Sequence, residues 1–116
     1  MRDYSLYLVE ILGALDRIVE FIEGLDAEGF FSDEKTKSAV VRQIEIMGEA
    51  SKCLSHELRE RYAEVPWRRL TGMRDRLIHA YFDVDYGFIW SFIAEEFDDI
   101  RLHLERAIRE LGHLND

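Results

Sequence analysis

Apolar residues recur at every third or fourth position along most of this chain, the spacing that keeps one face of an α-helix out of water. Tyr4, Leu8, Ile11, Leu15, Ile18 and Ile22 form the first such stripe and predict a helix over residues 3–25. Gly24, Gly29 and the acids between them end it. Ser32-Asp33-Glu34 predicts the start of a second helix, with Ser32 as the cap and acids at the positive end of the helix dipole. Its inward stripe is Val40, Ile44, Met47 and Leu54. Gly48 lies within that stretch at a cost in helix propensity, which points to close approach of another backbone. Residues 56–62 read as a short extra turn or as a continuation.

Pro66-Trp67 opens a third helix, since proline suits a first helical turn. Leu70, Met73, Leu77 and Ala80 mark its core face. Asp83-Val84-Asp85 breaks the pattern, and either acid can cap a fourth helix over 86–111. There Ile93, Phe97, Ile100, Leu104, Ala107 and Leu111 alternate spacings of four and three, and Gly112 is the predicted stop. Phe88, Ile89, Trp90, Phe92 and Ile93 cannot share one face. Either this helix is buried on two sides at its start, or the excess apolar surface meets a partner, with a homodimer expected. No stretch alternates with a period of two. The predicted fold class is therefore all-α, an up-and-down four-helix bundle with a possible short extra helix. At 116 residues, a single domain over 1–116 is expected.

Composition and charge narrow the function. Apolar residues make up 47% and charged residues 34%, which is a folded rather than a disordered composition. The N-terminus carries charge early, and no stretch approaches the roughly 18 apolar residues a membrane span needs. A lone cysteine, Cys53, excludes an internal disulfide and reads as a small buried hydrophobe; a cytoplasmic protein is expected. The net charge of −9 argues against a dedicated nucleic-acid-binding protein. Yet between Glu57 and Arg76 six arginines (Arg59, Arg61, Arg68, Arg69, Arg74, Arg76) face four acids. One basic patch on an acidic body can act locally on a polyanion while discouraging loose binding.

That patch leads into Met73-Arg74-Asp75-Arg76-Leu77-Ile78-His79-Ala80-Tyr81, where the candidate chemistry lies. Asp75 and His79 are four apart and so are predicted neighbours, the carboxylate orienting the imidazole. Arg74 and Tyr81 share a different line of the helix. Arg74 and His79 diverge by about 140° on an ideal helix. They meet on one ligand only through long side chains, an unwinding near His79, or a second subunit. An arginine can hold a phosphate oxygen bidentately, and a histidine can move a proton to or from a reacting oxygen. RNA brings its own nucleophile, the 2′-hydroxyl, so its cleavage requires no metal. His79, Asp83 and Asp85 do not form a recognised metal-site spacing, and no metal or cofactor is expected. From spacing alone, an ordinary solvated Asp-His contact is the usual reading, and clustered titratable groups are suggestive rather than decisive.

Arg74-x-x-x-x-His79-x-Tyr81 resembles the signature of the HEPN superfamily, in particular its HepT-like branch. The flanks Gly72-Met73 and Phe82-Asp83-Val84-Asp85, the segment Ile44-Glu45-Ile46-Met47-Gly48-Glu49-Ala50-Ser51, Pro66-Trp67 and Trp90 also fit. The resemblance implies a helical bundle that dimerises and places two motifs in a shared cleft. It implies a metal-independent endoribonuclease that is the toxin of a toxin–antitoxin pair, with an MNT-type nucleotidyltransferase as antitoxin. It further implies that this partner transfers AMP from ATP to Tyr81. Carried over, Arg74 binds phosphate and His79 is the acid or base, with Asp75, Tyr81 and Glu49 supporting them. Glu49 is expected to brace a motif cation. Asp75 stands where relatives often have asparagine, adding negative charge beside the phosphate site. Arg68, Arg69 and Arg76 are the candidate RNA contacts. Two rival readings stay open: a non-catalytic subunit presenting substrate or nucleotide to the nucleotidyltransferase, and a purely structural dimer.

Overall fold

A computed structural model describes residues 3–79 and 83–114 of the chain, the side chains of 113 and 114 excepted. All secondary structure among the described residues is helical: α1 (Ser5–Phe21), α2 (Ala27–Phe31), α3 (Glu34–Lys52), α4 (His56–Arg61), α5 (Trp67–His79) and α6 (Tyr86–Leu114). The four long helices carry the predicted stripes. Leu8, Ile11, Leu15 and Ile18 of α1 are buried against Val40, Ile44 and Met47 of α3 and against Ile93, Phe97, Ile100 and Leu104 of α6. Burying each such side chain contributes about 1.5–3 kcal/mol, which fixes the rotation of every helix about its own axis. The helix α3 packs against α1 on one side and α5 on the other. That central place is what brings its C-terminal half to the candidate motif. Between α5 and α6, Arg69 reaches across to pair with Glu96 and lies 5.6 Å above the Phe92 ring.

Several boundaries differ from the sequence reading for local reasons. The first helix ends at Phe21 rather than at residue 25, and Gly24 turns the chain with φ +82°, a conformation that favours glycine. The chain then forms α2, a helix too short to show a period in the sequence. Asp33, not Ser32, caps α3: its carboxylate accepts from Thr36 N at 3.0 Å and Thr36 Oγ1 at 2.8 Å. Ser32 instead closes α2, its hydroxyl donating to Glu28 O at 3.1 Å. The extra turn after Leu54 is a separate helix, α4, capped by Ser55. Gly112 does not stop α6, which runs on to Leu114. Cys53 is exposed at the end of α3 rather than buried.

The helix α2 also accounts for the two-sided start of α6. Ile89, Phe92 and Ile93 face the bundle, while Trp90 stacks at 5.2 Å on Phe30 of α2, which is fully buried. Phe88 is left half exposed. No helix is long and apolar enough to cross a membrane among the described residues.

Candidate functional site

The start of α5 is anchored before the motif begins. The Trp67 indole N–H donates to Arg59 O at 3.1 Å and Tyr62 O at 3.0 Å, which ties α5 to α4. Leu70 and Met73 then sink into the core one turn apart. Their burial turns Arg74, the next residue, towards α3.

There Gly48 decides how close the two helices come. A Cβ at Gly48 would lie 2.2 Å from Arg74 Cβ and 2.7 Å from Leu70 O. Only a residue without a side chain fits, as the sequence suggested. The aliphatic stem of Arg74 therefore lies in the α3–α5 seam, with Nε buried and without a hydrogen-bond partner among the described residues. Its guanidinium emerges at the seam's edge, the side chain 24% exposed. Nη1 donates to Asp75 Oδ1 at 3.0 Å and Nη2 to Glu49 Oε1 at 3.4 Å. Glu49 thus sits where the sequence reading put it, beside a motif cation.

Asp75 does not orient His79. Its Oδ1 accepts from Lys52 Nζ at 2.5 Å as well as from Arg74. Two permanent cations hold that carboxylate, and among the described residues His79 has neither a hydrogen bond nor an ion pair. The hydrogen bond from Lys52, then that from Arg74, keeps the Asp75 carboxyl below its usual range. The hydrogen bond to Asp75, supported by the charge of Glu49, pushes the Arg74 guanidinium up, while desolvation opposes it. The row Glu49, Arg74, Asp75 and Lys52 carries two positive and two negative charges, so the extra charge of an aspartate beside the arginine is offset locally.

The sequence reading missed Lys52. A signal existed: Lys52 is four residues after Gly48 and hence faces the same neighbouring helix one turn on.

His79 is the last residue of α5 and is exposed. The helix is continuous from Arg74 to His79, so unwinding before His79 does not bring the two together. They stand about 7.5 Å apart along the axis and about 140° apart around it. Tyr81 and Ala80 lie outside the described residues. Of the candidate RNA contacts, Arg69 is committed to Glu96. Arg68 and Arg76 are exposed, with no carboxylate partner among the described residues. Arg76 borders a hollow of about 160 Å³ with Asp83, Asp85 and Phe88. Asp85 caps α6 by accepting from Phe88 N at 2.9 Å. Among the described residues no three His, Cys, Asp or Glu side chains gather closely enough to hold a metal ion.

Comparison with known proteins gives a consistent result. The model of the family described as ribonuclease HepT-like matches residues 11–107. A protein of Methanocaldococcus jannaschii named as a candidate RNase is 39% identical over 110 residues, covering 95% of each chain. A probable ribonuclease HepT of Thermococcus cleftensis is 39% identical over 105 residues, 90% of this chain and 96% of that one. A candidate RNase of Caldanaerobacter subterraneus subsp. tengcongensis is 41% identical over 111 residues, 96% of each. No solved structure matches the chain significantly.

Proposed function

Because the chain belongs to the ribonuclease HepT-like family, we propose that it is an endoribonuclease that cleaves RNA through the substrate's own 2′-hydroxyl. The observation that carries this reading is Arg74, set in the α3–α5 seam with its guanidinium at the surface, on the same helix as an exposed His79 that has no partner among the described residues. Arg74 grips a non-bridging phosphate oxygen and offsets the charge that grows there in the transition state. His79 takes the 2′-hydroxyl proton, or gives a proton to the departing 5′-oxygen. The 2′-oxygen bonds to phosphorus as the 5′-oxygen leaves, so the products are a cyclic phosphate and a free 5′-hydroxyl. No metal is needed for these steps.

The 140° between Arg74 and His79 favours a homodimer in which one chain's arginine and its partner's histidine face one linkage. We place the protein in the cytoplasm as the toxin of a pair whose antitoxin is an MNT-type nucleotidyltransferase. That partner transfers AMP from ATP to the Tyr81 hydroxyl, releasing pyrophosphate. The added phosphate brings bulk and negative charge two residues from His79 in the sequence, and both would work against RNA binding. One observation favours the alternative of a non-catalytic binding subunit for the nucleotidyltransferase: both Arg74 Nη groups already have carboxylate acceptors.

Cleavage assays separate the two. The purified chain with EDTA should cut RNA and not the matching DNA. His79→Ala should lower the rate at least ~100-fold with its helical circular dichroism intact. Mixing inactive Arg74→Ala and His79→Ala chains should restore about a quarter of the activity, since half of the dimers then carry one whole site. Full activity in His79→Ala defeats the catalytic reading. No recovery on mixing defeats the shared site.

A further inference from the structure

A second feature lies at the other end of α5. An open groove of about 790 Å³ runs between α4 and the start of α5, lined by His56, Arg59, Glu60, Trp67, Arg68 and Arg69 among others. Its walls are fixed by the Trp67 indole, which donates to two carbonyls on the α4 side. Within the groove Arg69 pairs with Glu96, and the exposed Glu60 lies 3.0 Å from His56, an ion pair only when that imidazole is protonated. Arg59 and Arg68 have no carboxylate partner among the described residues, and Arg59 Nε is buried without a hydrogen-bond partner. Arg59 and Arg68 thus bring two guanidinia without carboxylate partners among the described residues to the lining of one groove.

The groove is also in line with the candidate site. Arg68, Gly72, Asp75 and His79 fall within about 60° of one another around α5, and Arg68 is about 16 Å from His79 along the axis. Gly72 leaves this track open, for a Cβ there would meet nothing within 4 Å. The track's one carboxylate, Asp75, is neutralised by Lys52 and Arg74.

We propose that the α4–α5 groove is a second phosphate-binding subsite, in which Arg59 and Arg68 hold the backbone of single-stranded RNA a few nucleotides from the bond to be cut. The proposal rests on the ribonuclease reading for its ligand. Two guanidinia lining one groove can follow one backbone, and their planes also offer a surface on which an unpaired base stacks.

The test is fluorescence anisotropy with a single-stranded, fully 2′-O-methylated oligonucleotide of about 12 nucleotides, which lacks the nucleophile and so reports binding alone. The Arg59→Gln/Arg68→Gln double variant keeps the side-chain stems and loses both charges. It should reduce the slope of log Kd against log salt by about 1.4, which at about 0.1 M salt is about a 25-fold loss of affinity. Arg109→Gln, which removes a charge elsewhere on α6, should leave slope and affinity unchanged. Unchanged binding in the double variant overturns the subsite, and so does an equal loss per charge in Arg109→Gln. Cleavage of the unmodified oligonucleotide by the wild type tests the ribonuclease reading separately. If the wild type cuts nothing while the double variant still loses binding, catalysis fails and the groove stands.

Discussion

Replacing Gly48 by alanine sets two well-understood effects against each other. Alanine is the better helix former by about 0.8–1 kcal/mol, so propensity alone predicts a more stable protein. Against this, the new methyl would sit 2.2 Å from Arg74 Cβ and 2.7 Å from Leu70 O. Carbon atoms in contact prefer about 3.5–4.0 Å, so α3 and α5 must part by roughly 1.5 Å. Neither obstacle is the loose end of a side chain, so the helices themselves must move. Forced overpacking of this kind costs about 1–3 kcal/mol, and the rigid neighbours put Gly48→Ala near the top of that range. The net loss is then about 2 kcal/mol, or about 8 °C in Tm for a domain of this size. Gly72 supplies the control, since its methyl would meet nothing within 4 Å. Gly72→Ala should raise Tm by about 4 °C. Thermal unfolding followed by circular dichroism reads both. A Gly48→Ala protein as stable as the wild type or more so would show that the seam is not closed on Gly48, and the placement of Arg74 would lose its basis.

Two further outcomes follow from the side chains around the seam. Lys52→Gln leaves Asp75 facing the phosphate site with less compensation, so KM for RNA should rise several-fold with little change in kcat. Adding Asp75→Asn should restore it, and simple additivity of the two changes would refute the coupling. Asp33 is held below its usual 3.8, chiefly by the Thr36 backbone N–H. The folded state therefore binds this proton less readily than the unfolded one. The contribution is present above the usual carboxylate value and is lost as pH falls through the folded value. The Tm gap between wild type and Asp33→Ala should be widest at neutral pH and shrink below about pH 4. A gap that is constant down to the acid limit would remove the charge from the cap's role.

The long helices were legible because each repeats its apolar residues over several turns. Leu8, Ile11, Leu15 and Ile18 are all fully buried, as their spacing required. Gly48 was legible for a different reason: a glycine in a helix that loses propensity must gain something else. What escaped was set by neighbours distant in sequence or by elements too short to repeat. The five residues of α2 show no period, yet Phe30 explains why Trp90 is apolar. Ser32 and Asp33 are both competent caps, and the choice turned on α2 ending at Ser32. Asp75 had a local partner by spacing, His79, and two tertiary ones, Lys52 and Arg74. The cations are charged at every working pH, so they win the carboxylate. Helix spacing from Gly48 puts Lys52 on the face of α3 that meets α5, but which carboxylate it meets there depends on the register between the two helices.

That register also changes how the basic window should be understood. Of its six arginines, Arg61 approaches Glu110, Arg69 pairs with Glu96, and Arg74 is shared by Glu49 and Asp75. Arg59, Arg68 and Arg76 have no carboxylate partner among the described residues. On a chain of net charge −9, most of the surface repels a polyanion. Within this window attraction then falls to these three guanidinia, all on α4 and α5. Arg74, its charge balanced by two carboxylates, is poorly suited to draw RNA in from a distance. It is well suited to hold a phosphate once there, because its stem is fixed in the seam and a phosphate oxygen can replace the 3.4 Å contact with Glu49 at small cost. On the proposed reading the work is divided: free arginines capture the strand, Arg74 orients one linkage, and His79 moves the proton. Screening by salt should therefore weaken binding far more than it slows the cleavage step of a strand already bound.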